Sequence, residues 1–316
     1  MRAAVVNNLK QPPQYQEFPA PIAGHGEVVV QVRAAGLHPI VKARASGAHY
    51  TSGGELPAVP GIDGVGILDD GRRVFFAASQ PKWGTMAERS VAARSMCIPL
   101  PDGIDDLQAA AIANPGMSAW LSLKDRAAVQ PGETVLVLGA TGVAGQLAIQ
   151  AARLLGARRV IAAGRNVDAL AGEPVDAVIA LAQTEDAVRE AFAAEAAAGI
   201  DVVIDYLWGR PTELLLEALA KGFHAESTRA TRLVEVGESA GRTITLPGAT
   251  LRSIDLTLKG SGFGSVPIDR ILAAIPTLFS MAAEGRFKVA VEPVPLSEVE
   301  QAWSRVEKGR RIVLTI

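Results

Sequence analysis

The chain has almost no cysteine. Cys97 is the one cysteine among 316 residues, so an intramolecular disulfide is excluded, and so is a zinc lobe built from several cysteine thiolates. Lysine and arginine form no cluster, and the formal net charge is only −2. This balance argues against nucleic acid and against an anionic membrane surface as partners.

The chain also lacks a long apolar run. No stretch approaches the roughly 20 apolar residues that a membrane-spanning helix needs. The first residues, Met1–Val6, are typical of a strand rather than of a signal peptide. We therefore expect a cytoplasmic protein without a membrane partner. Because 49% of the residues are hydrophobic and 20% are charged, we expect packed cores, and the length is sufficient for two domains.

The most informative stretch covers residues 133–156. Thr134–Leu138 is a short β-branched and leucine-rich run, which is typical of a buried parallel strand, and helical spacing of apolar residues follows it. Between the two, Ala140-x-Gly142-x-x-Gly145 matches the dinucleotide-binding fingerprint, except that alanine replaces its first glycine. We predict that the pyrophosphate of a dinucleotide lies against this turn and the N terminus of the helix.

The residues after the next strand indicate which dinucleotide binds. NAD-binding units carry an acid there that accepts hydrogen bonds from the ribose, whereas this chain has Gly164, Arg165 and Asn166. The Arg165 guanidinium suits a 2′-phosphate. We predict a preference for NADPH over NADH of roughly 100-fold, about 2.7 kcal/mol for one charge-assisted contact. The alternative is that Arg165 is a solvated loop cation.

The order of the predicted strands and helices along the chain indicates an α/β fold. Up to about residue 110, short strand-like runs alternate with proline and glycine, as in a partly open β-barrel. From Pro131 onward strands and helices alternate, which predicts a Rossmann doubly wound parallel sheet. The predicted strands of the sheet are 133–139, 159–164, 175–181, 201–207, 232–237 and 254–260, and the predicted helices are 105–113, 143–156, 184–198, 211–221, 267–284 and 297–308.

Four segments resemble a known family. They are Gly36-Leu37-His38-Pro39, Pro57–Gly66, Gly84–Glu88 and the loop Gly139–Gly145. These segments resemble the medium-chain dehydrogenase/reductase superfamily, and the resemblance covers essentially the whole chain. The predicted order of an N-terminal barrel, a dinucleotide-binding sheet and a C-terminal segment that rejoins the barrel is also similar to that superfamily. Its zinc-dependent alcohol dehydrogenases have cysteine at position 38 and histidine at position 62, where this chain has histidine and isoleucine. The chain is similar instead to the zinc-free quinone oxidoreductase-like branch, which usually has asparagine at position 38.

The resemblance implies a catalytic barrel-like domain at 1–117, a Rossmann NADPH-binding domain at 118–254, and a last part, 255–316. That part holds the last strand of the sheet and returns to the catalytic domain. The implied activity is zinc-independent hydride transfer from NADPH to a quinone or an α,β-unsaturated carbonyl compound, with a small-molecule substrate. Pairing of strand 255–260 across two copies implies a homodimer. The alternatives are a metal-free carbonyl reductase or alcohol dehydrogenase, a carrier-dependent enoyl reductase, and a non-catalytic NADPH-binding redox sensor.

The resemblance also implies three catalytic candidates. His38 either donates a proton to the substrate oxygen or only caps a turn or shapes the pocket, and a metal-ligand role would lack companion ligands. Tyr50 orients a carbonyl unless it is plain packing. Ser118 bonds the nicotinamide carboxamide unless it N-caps a helix. Asp63 is either a polar residue of the cleft or holds a buried hydrogen bond to the backbone.

Cofactor contacts are expected at the glycine loop and at the carboxyl ends of the strands, where open parallel sheets bind ligands. The resemblance adds the helix around residue 116 and the bend around residue 263. The expected cofactor-binding residues are Asn114, Ser118, Ala140, Thr141, Gly142, Val143, Ala144, Gly164, Arg165, Asn166, Tyr206, Gly237, Gly262 and Phe263, and no metal ligands are expected.

Overall fold

The computed structural model describes residues 1–221, 230–306 and 309–316. In chain order the strands are β1 (Arg2–Val5), β2 (Gln14–Glu17), β3 (Glu27–Gly36), β4 (Asp63–Ile67), β5 (Arg73–Ala77), β6 (Arg89–Ala93), β7 (Cys97–Pro99), β8 (Thr134–Leu138), β9 (Arg159–Gly164), β10 (Ala177–Ala180), β11 (Val202–Asp205), β12 (Thr231–Glu235), β13 (Leu256–Gly260), β14 (Ala290–Pro295) and β15 (Arg310–Thr315). The α-helices are α1 (Pro39–Ala45), α2 (Asp106–Leu121), α3 (Val143–Leu154), α4 (Glu185–Ala198), α5 (Gly209–Lys221), α6 (Gly248–Ser253), α7 (Ile268–Ala283) and α8 (Val299–Ser304).

The described residues form two compact units. One unit comprises Pro115–Ile271, and the other comprises Met1–Asn114 together with Leu272–Ile316. The first is built on a six-stranded parallel sheet in the order β10-β9-β8-β11-β12-β13. Within this sheet the chain first forms the central strand β8 and then adds β9 and β10 on one side of it. It then crosses to the other side of β8 and adds β11, β12 and β13. This reversal confirms the doubly wound sheet predicted from the sequence.

The core of this unit is built by strands whose residues are buried on both faces. All five residues of β8 are buried, as expected for a central parallel strand. Leu136 of β8 belongs to the same buried cluster as Ile161 of β9 and Val203 of β11. Phe192 of α4 and Leu215 of α5 complete that cluster. The apolar faces of these helices therefore cover the sheet and hold its strands in place.

The other unit contains a seven-stranded mixed sheet and a separate two-stranded one. β3 is ten residues long and pairs with β15, β4 and β6, so it is the central element. The main path runs β14-β15-β3-β4-β5-β7, and no pairing among the described strands joins its two ends. The predicted partly open barrel is thus an open mixed sheet. Its core cluster includes Val5, Leu37, Met86, Val299 and Leu314.

Helix α2 is longer than the predicted 105–113. It continues through Pro115 to Leu121 and passes into a π-helical turn at Ser122–Arg126. Most of its residues are buried, so packing on several sides outweighs the hydrogen bond that proline removes. α7 likewise contains an internal proline, Pro276. None of the described helices is both long and apolar enough to cross a bilayer.

Three further elements differ from the predictions. The short strand β7 and the short helix α6 were not predicted, because three and six residues are too few to show a period. The predicted helix 297–308 begins as a 3₁₀ turn at Leu296–Glu298 and continues as α8. Residues 307 and 308 of that prediction lie outside the described residues.

Replacing Gly145 by alanine will destabilise the parallel-sheet unit. A Cβ at this position would lie 2.3 Å from the Gly139 carbonyl oxygen and 2.6 Å from the Ala140 Cα, and backbone atoms cannot move aside without opening the turn. We expect G145A to lower the free energy of unfolding by about 2–4 kcal/mol, measured by urea denaturation.

Gly260 provides the matched control, because a Cβ there meets nothing within 4 Å. We expect G260A to leave the free energy of unfolding unchanged within about 0.5 kcal/mol. Equal stability of G145A and G260A would contradict the close helix–strand approach.

Candidate active site

The carboxyl edge of the parallel sheet collects most of the expected cofactor-binding residues. Loops leave this edge after β8, β9, β11 and β12, and they carry residues 139–142, 165–166, 206–208 and 236–239, respectively. The bend 261–267 follows the edge strand β13. Parallel strands end at one edge, so these loops share one side of the sheet, where such sheets bind ligands.

The loop between β8 and α3 is folded tightly against the end of β9. The backbone N–H groups of Gly139 and Ala140 donate to the Ala163 carbonyl at 2.9 and 3.0 Å. A Cβ at Gly164 would lie 2.3 Å from Thr141 Cγ2, so a side chain at 164 would push Thr141 away. The loop and the end of β9 therefore present one continuous surface.

Gly142 at the N-cap of α3 is exposed and open. Its φ of −83° and ψ of 162° are allowed for any residue, and a Cβ would meet only the Gly139 carbonyl oxygen at 3.5 Å. Neither backbone conformation nor packing within the chain therefore requires glycine here. No side chain caps the helix, so the N–H groups of Val143 and Ala144 begin α3 without a side-chain acceptor. These residues fit a pyrophosphate that approaches the backbone closely.

Arg165 and Asn166 follow at the end of β9, and both are exposed. Among the described residues, no carboxylate lies within ion-pair distance of the Arg165 guanidinium. Asp168 lies in a 3₁₀ turn at Val167–Leu170. The guanidinium therefore stands in water beside the glycine loop, and a phosphate there would not displace an existing partner.

Asp205, the last residue of β11, builds the turn that follows this strand. Its Oδ1 accepts from the N–H groups of Leu207 and Trp208 at 2.8 and 2.9 Å, and its Oδ2 accepts from Thr212 Oγ1 at 2.5 Å. Trp208 has a φ of +53°, a left-handed conformation that the two backbone hydrogen bonds help to hold. Burial raises the pKa of Asp205, although all three hydrogen bonds oppose that rise.

The Tyr206 phenol lies in the same turn and is buried. Burial raises its pKa, and the neighbouring Ser118 hydroxyl opposes the rise. The phenol oxygen makes no hydrogen bond of standard geometry to a described residue. Two hydroxyl groups therefore adjoin at this edge of the sheet, one from α2 and one from the loop after β11.

Negative charge accumulates at the ends of β11 and β12. Glu235 is half-buried, and burial raises its pKa, with the charges of Asp205 and Glu238 acting in the same direction. A cavity of about 330 Å³ opens here, lined by Trp208, Glu235 and Lys259 among others. Gly237 is half-buried in the loop after β12, where a Cβ would lie 3.3 Å from the Tyr206 carbonyl oxygen.

In the other unit, His38 and Asp63 form a buried pair. His38 is fully buried and Asp63 is 4% exposed, and His38 Nε2 lies 3.4 Å from Asp63 Oδ1. Neither ring nitrogen and neither carboxylate oxygen makes a hydrogen bond to a described residue. Each buried polar atom without a partner costs about 1–3 kcal/mol, so this arrangement does not serve stability.

The turn-capping alternative for His38 is wrong for its side chain. The residue occupies the N-cap position of α1, but its side chain makes no capping hydrogen bond. Its backbone carbonyl accepts from the N–H groups of Val41 and Lys42 instead, at 3.0 and 3.3 Å. The imidazole is therefore not needed to start the helix.

The known proteins that are similar to this chain are mostly quinone reductases and alcohol dehydrogenases. No family model matches the chain. The chain is 28% identical to the probable NADPH-dependent quinone reductase tdiC of Emericella nidulans, over 99% of both chains. It is 30% identical, with a TM-score of 0.80, to the quinone oxidoreductase of Thermus thermophilus, whose structures include a complex with NADPH, and the match covers 100% of both chains.

The chain belongs to the medium-chain dehydrogenase/reductase superfamily, in its quinone oxidoreductase-like branch. It is an oxidoreductase. It is also 25% identical to an alcohol dehydrogenase of Geobacillus stearothermophilus, over 100% of both chains.

The remaining candidate residues of this dehydrogenase/reductase lie on a turn after α1, on α2 and in the bend after β13. Tyr50 is 72% exposed on a turn after α1, and its ring lies 4.2 Å from the His49 ring. Asn114 and Ser118 lie on α2, one turn apart and half-buried. Because α2 begins at Asp106, the helix N-cap alternative for Ser118 is wrong. Gly262 and Phe263 are exposed in the bend after β13, where the Gly262 N–H donates to Ser265 Oγ.

Sequence reasoning did not find the roles that the structure gives to two aspartates of the reductase. Asp205 was predicted only as part of strand 201–207, although an aspartate before a short loop is a recognisable turn signal. For Asp63, a backbone hydrogen bond to its carboxylate was one alternative, and it is wrong. The carboxylate has no such partner, while its backbone carbonyl accepts from Thr85 Oγ1 at 2.8 Å. No local signal places it against His38.

Removing the Asp205 carboxylate will loosen the loop after β11. We expect D205A to lower the free energy of unfolding by about 2–4 kcal/mol, because three donors lose their acceptor inside the protein. D205N keeps an oxygen for the two backbone N–H groups and an amide that can donate to Thr212, so we expect a loss below about 1 kcal/mol.

The pH dependence of unfolding checks the same carboxylate. Burial raises the pKa of Asp205 in the folded state, so the folded protein holds this proton more firmly than the unfolded chain. Its contribution to stability therefore falls as the pH rises from the unfolded pKa, about 3.9, through the folded one. The free energy of unfolding of D205N will lack this pH-dependent contribution. Parallel plots of the free energy of unfolding against pH for the wild-type protein and D205N would contradict this prediction.

Proposed function

We propose that the chain is an NADPH-dependent reductase that transfers hydride to a quinone or an α,β-unsaturated carbonyl compound without a metal ion. The observation that carries the proposal is the loop after β8, where Gly142 is open although nothing in the chain requires glycine. The quinone reductases among the similar proteins support it. NADPH supplies the hydride from its nicotinamide when bound.

The residues at the edge of the parallel sheet divide the work of holding this cofactor. Thr141, Gly142 and the start of α3 take the pyrophosphate, and the residues involved there are Ala140, Thr141, Gly142, Val143 and Ala144. Arg165 binds the 2′-phosphate, flanked by Gly164 and Asn166. Ser118 and Tyr206 bond the nicotinamide carboxamide, with Asn114, Gly237, Gly262 and Phe263 around the ring.

Independence from zinc is supported by what stands at position 62. Ile62 has no donor atom, and its side chain packs on the hydrophobic cluster around Leu37 and Met86. His38 and Asp63 alone are two ligands, fewer than the three protein ligands of a catalytic zinc site. Among the described residues, no group of three histidine, cysteine, aspartate or glutamate side chains is placed to hold a metal ion.

His38 is the proton donor in this proposal. Hydride addition to a conjugated carbonyl or quinone leaves negative charge on oxygen, and an imidazolium neutralises it by donating a proton. Tyr50 orients the substrate carbonyl through its phenol.

The reductase acts as a homodimer in the cytoplasm under this proposal. β13 is the edge strand of the sheet, and Leu258 on it is 37% exposed. Pairing two such edges would satisfy their backbone hydrogen bonds. Sedimentation that shows only monomer at micromolar concentration would contradict the dimer.

The substrate class is tested by turnover with a panel of acceptors. Purified protein is incubated with NADPH and quinones, enones or aldehydes, and the products are identified. Reduction of quinones or of the conjugated C=C bond supports the proposal. Reduction of aldehydes alone would favour the metal-free alcohol dehydrogenase alternative. Tight NADPH binding without turnover of any acceptor would favour a redox sensor.

Replacing Arg165 by alanine will remove the preference for NADPH. We expect the wild-type protein to bind NADPH roughly 100-fold more tightly than NADH, and R165A to bind both about equally, in a fluorescence titration. Arg158 is the matched control, since it is exposed and precedes β9 at the opposite edge of the sheet. R158A should keep the wild-type preference, and equal affinities of the wild-type protein would refute the role of Arg165.

Replacing His38 by asparagine will slow turnover. Asparagine can donate a hydrogen bond but no proton, so we expect kcat to fall by about 100-fold while the Kd for NADPH stays unchanged. The exposed His25 provides the control, and H25N should turn over at the wild-type rate. Unchanged kinetics of H38N would end the donor role.

A further inference from the structure

The role of His38 leaves one buried group unexplained. Asp63 is 4% exposed, and neither of its carboxylate oxygens bonds a described donor. Among the described residues it is the one carboxylate within 4.0 Å of the His38 ring. A buried carboxylate is unfavourable unless a positive charge or donors compensate it. Among the described residues, the His38 imidazole is the one basic group within ion-pair distance of this carboxylate.

We propose that Asp63 is the positioning residue of His38, holding the ring as an imidazolium with Nε2 toward the carboxylate and Nδ1 free to donate. This inference rests on the proposed reductase function. The proposed mechanism assigns no other role to Asp63.

The backbone holds Asp63 in place without using its carboxylate. Thr85 Oγ1 donates to the Asp63 carbonyl at 2.8 Å, and the Ala78 N–H donates to the Ile62 carbonyl at 2.8 Å. Gly61 has a φ of +111°, and a Cβ there would lie 2.4 Å from Thr85 Oγ1. The segment before β4 therefore fits closely against the segment around Thr85, and both carboxylate oxygens remain for His38.

The imidazole is also confined by the backbone of Gly36, near the same ring nitrogen that faces Asp63. A Cβ at Gly36 would lie 2.4 Å from His38 Nε2 and 2.8 Å from the Ala110 carbonyl oxygen, so the ring occupies space that a side chain at position 36 would need. Among the other elements packed here, β15 carries the buried Arg311, whose guanidinium donates to the Leu37 carbonyl at 3.0 Å. Asp63 on β4 supplies the negative charge that faces the ring.

The proton step balances with NADPH as the reductant. After hydride addition, the acceptor oxygen carries a negative charge. The Nδ1–H bond of His38 breaks, an O–H bond forms, and the imidazolium becomes a neutral imidazole. Asp63 stays ionised throughout, and the imidazole regains a proton from water. The sum is acceptor, NADPH and one proton giving reduced acceptor and NADP⁺.

A double-mutant cycle with D63N and H38N tests the proposal. We expect D63N to lower kcat by about 10- to 100-fold at neutral pH and to leave the Kd for NADPH unchanged. In the H38N background, D63N should have no further effect, because a residue that acts through His38 loses its function with it. Additive effects of the two substitutions would overturn the proposal.

The pH profile provides a readout that a structural role would not move. A proton donor must be protonated, so kcat falls on the alkaline side. Without the Asp63 charge the imidazolium is less favoured, and the alkaline limb should move to lower pH by about one unit or more in D63N. T85V is the structural control, since it removes a hydrogen bond to the Asp63 backbone only. T85V should lower the free energy of unfolding and leave the alkaline limb of the kcat–pH profile at the wild-type pH. An alkaline limb that D63N does not move would contradict the proposal.

A measurement on the wild-type protein covers the case in which D63N does not fold. The ¹⁵N NMR signals of the His38 ring, assigned by their loss in H38N, should show both nitrogens protonated at neutral pH. A neutral ring there would overturn the proposal. This measurement does not depend on the acceptor, so an absence of quinone or enone reduction would refute the proposed function alone.

Discussion

The contact of Gly145 with the Gly139 carbonyl is the constraint on which the parallel-sheet unit depends. It lets α3 begin directly at the carboxyl end of β8, so that the first turn of the helix and the end of β9 share a surface. A side chain at position 145 would separate the two elements by the width of a methyl group. Gly142 then remains as the glycine of the loop that neither backbone conformation nor packing within the described residues requires.

Two buried aspartates show how the same side chain serves different ends. Both carboxylate oxygens of Asp205 accept hydrogen bonds, which compensate for its burial. These bonds hold the turn in which Trp208 has a left-handed backbone conformation. Asp63 is also buried, and among the described residues only the His38 ring lies within ion-pair distance of its carboxylate. Since polar groups without partners cost stability, the first arrangement is structural and the second is expected where reactivity is needed.

The sheet could be predicted from sequence, because its signals are local. Thr134–Leu138, the glycine fingerprint and the alternating strands and helices each lie within a few consecutive residues, and the order of the strands follows from chain reversal. The sequence signal for the start of α2 is also local, but the position of its C-terminal end is not set by a local signal. Pro115 predicts a break, and only burial on several sides, which no short window contains, carries the helix to Leu121.

The pairing of His38 with Asp63 lay beyond such reasoning, since it depends on the antiparallel pairing of β3, which ends just before His38, with β4, which begins at Asp63. The resemblance helped by showing that asparagine is usual at position 38. An asparagine amide at position 38 could donate neutral N–H groups to the Asp63 carboxylate, but it could not transfer a proton. A histidine ring offers both an N–H donor and a group that can release and take up a proton. Under the proposed donor role of His38, this departure from the family pattern is therefore a change in proton chemistry.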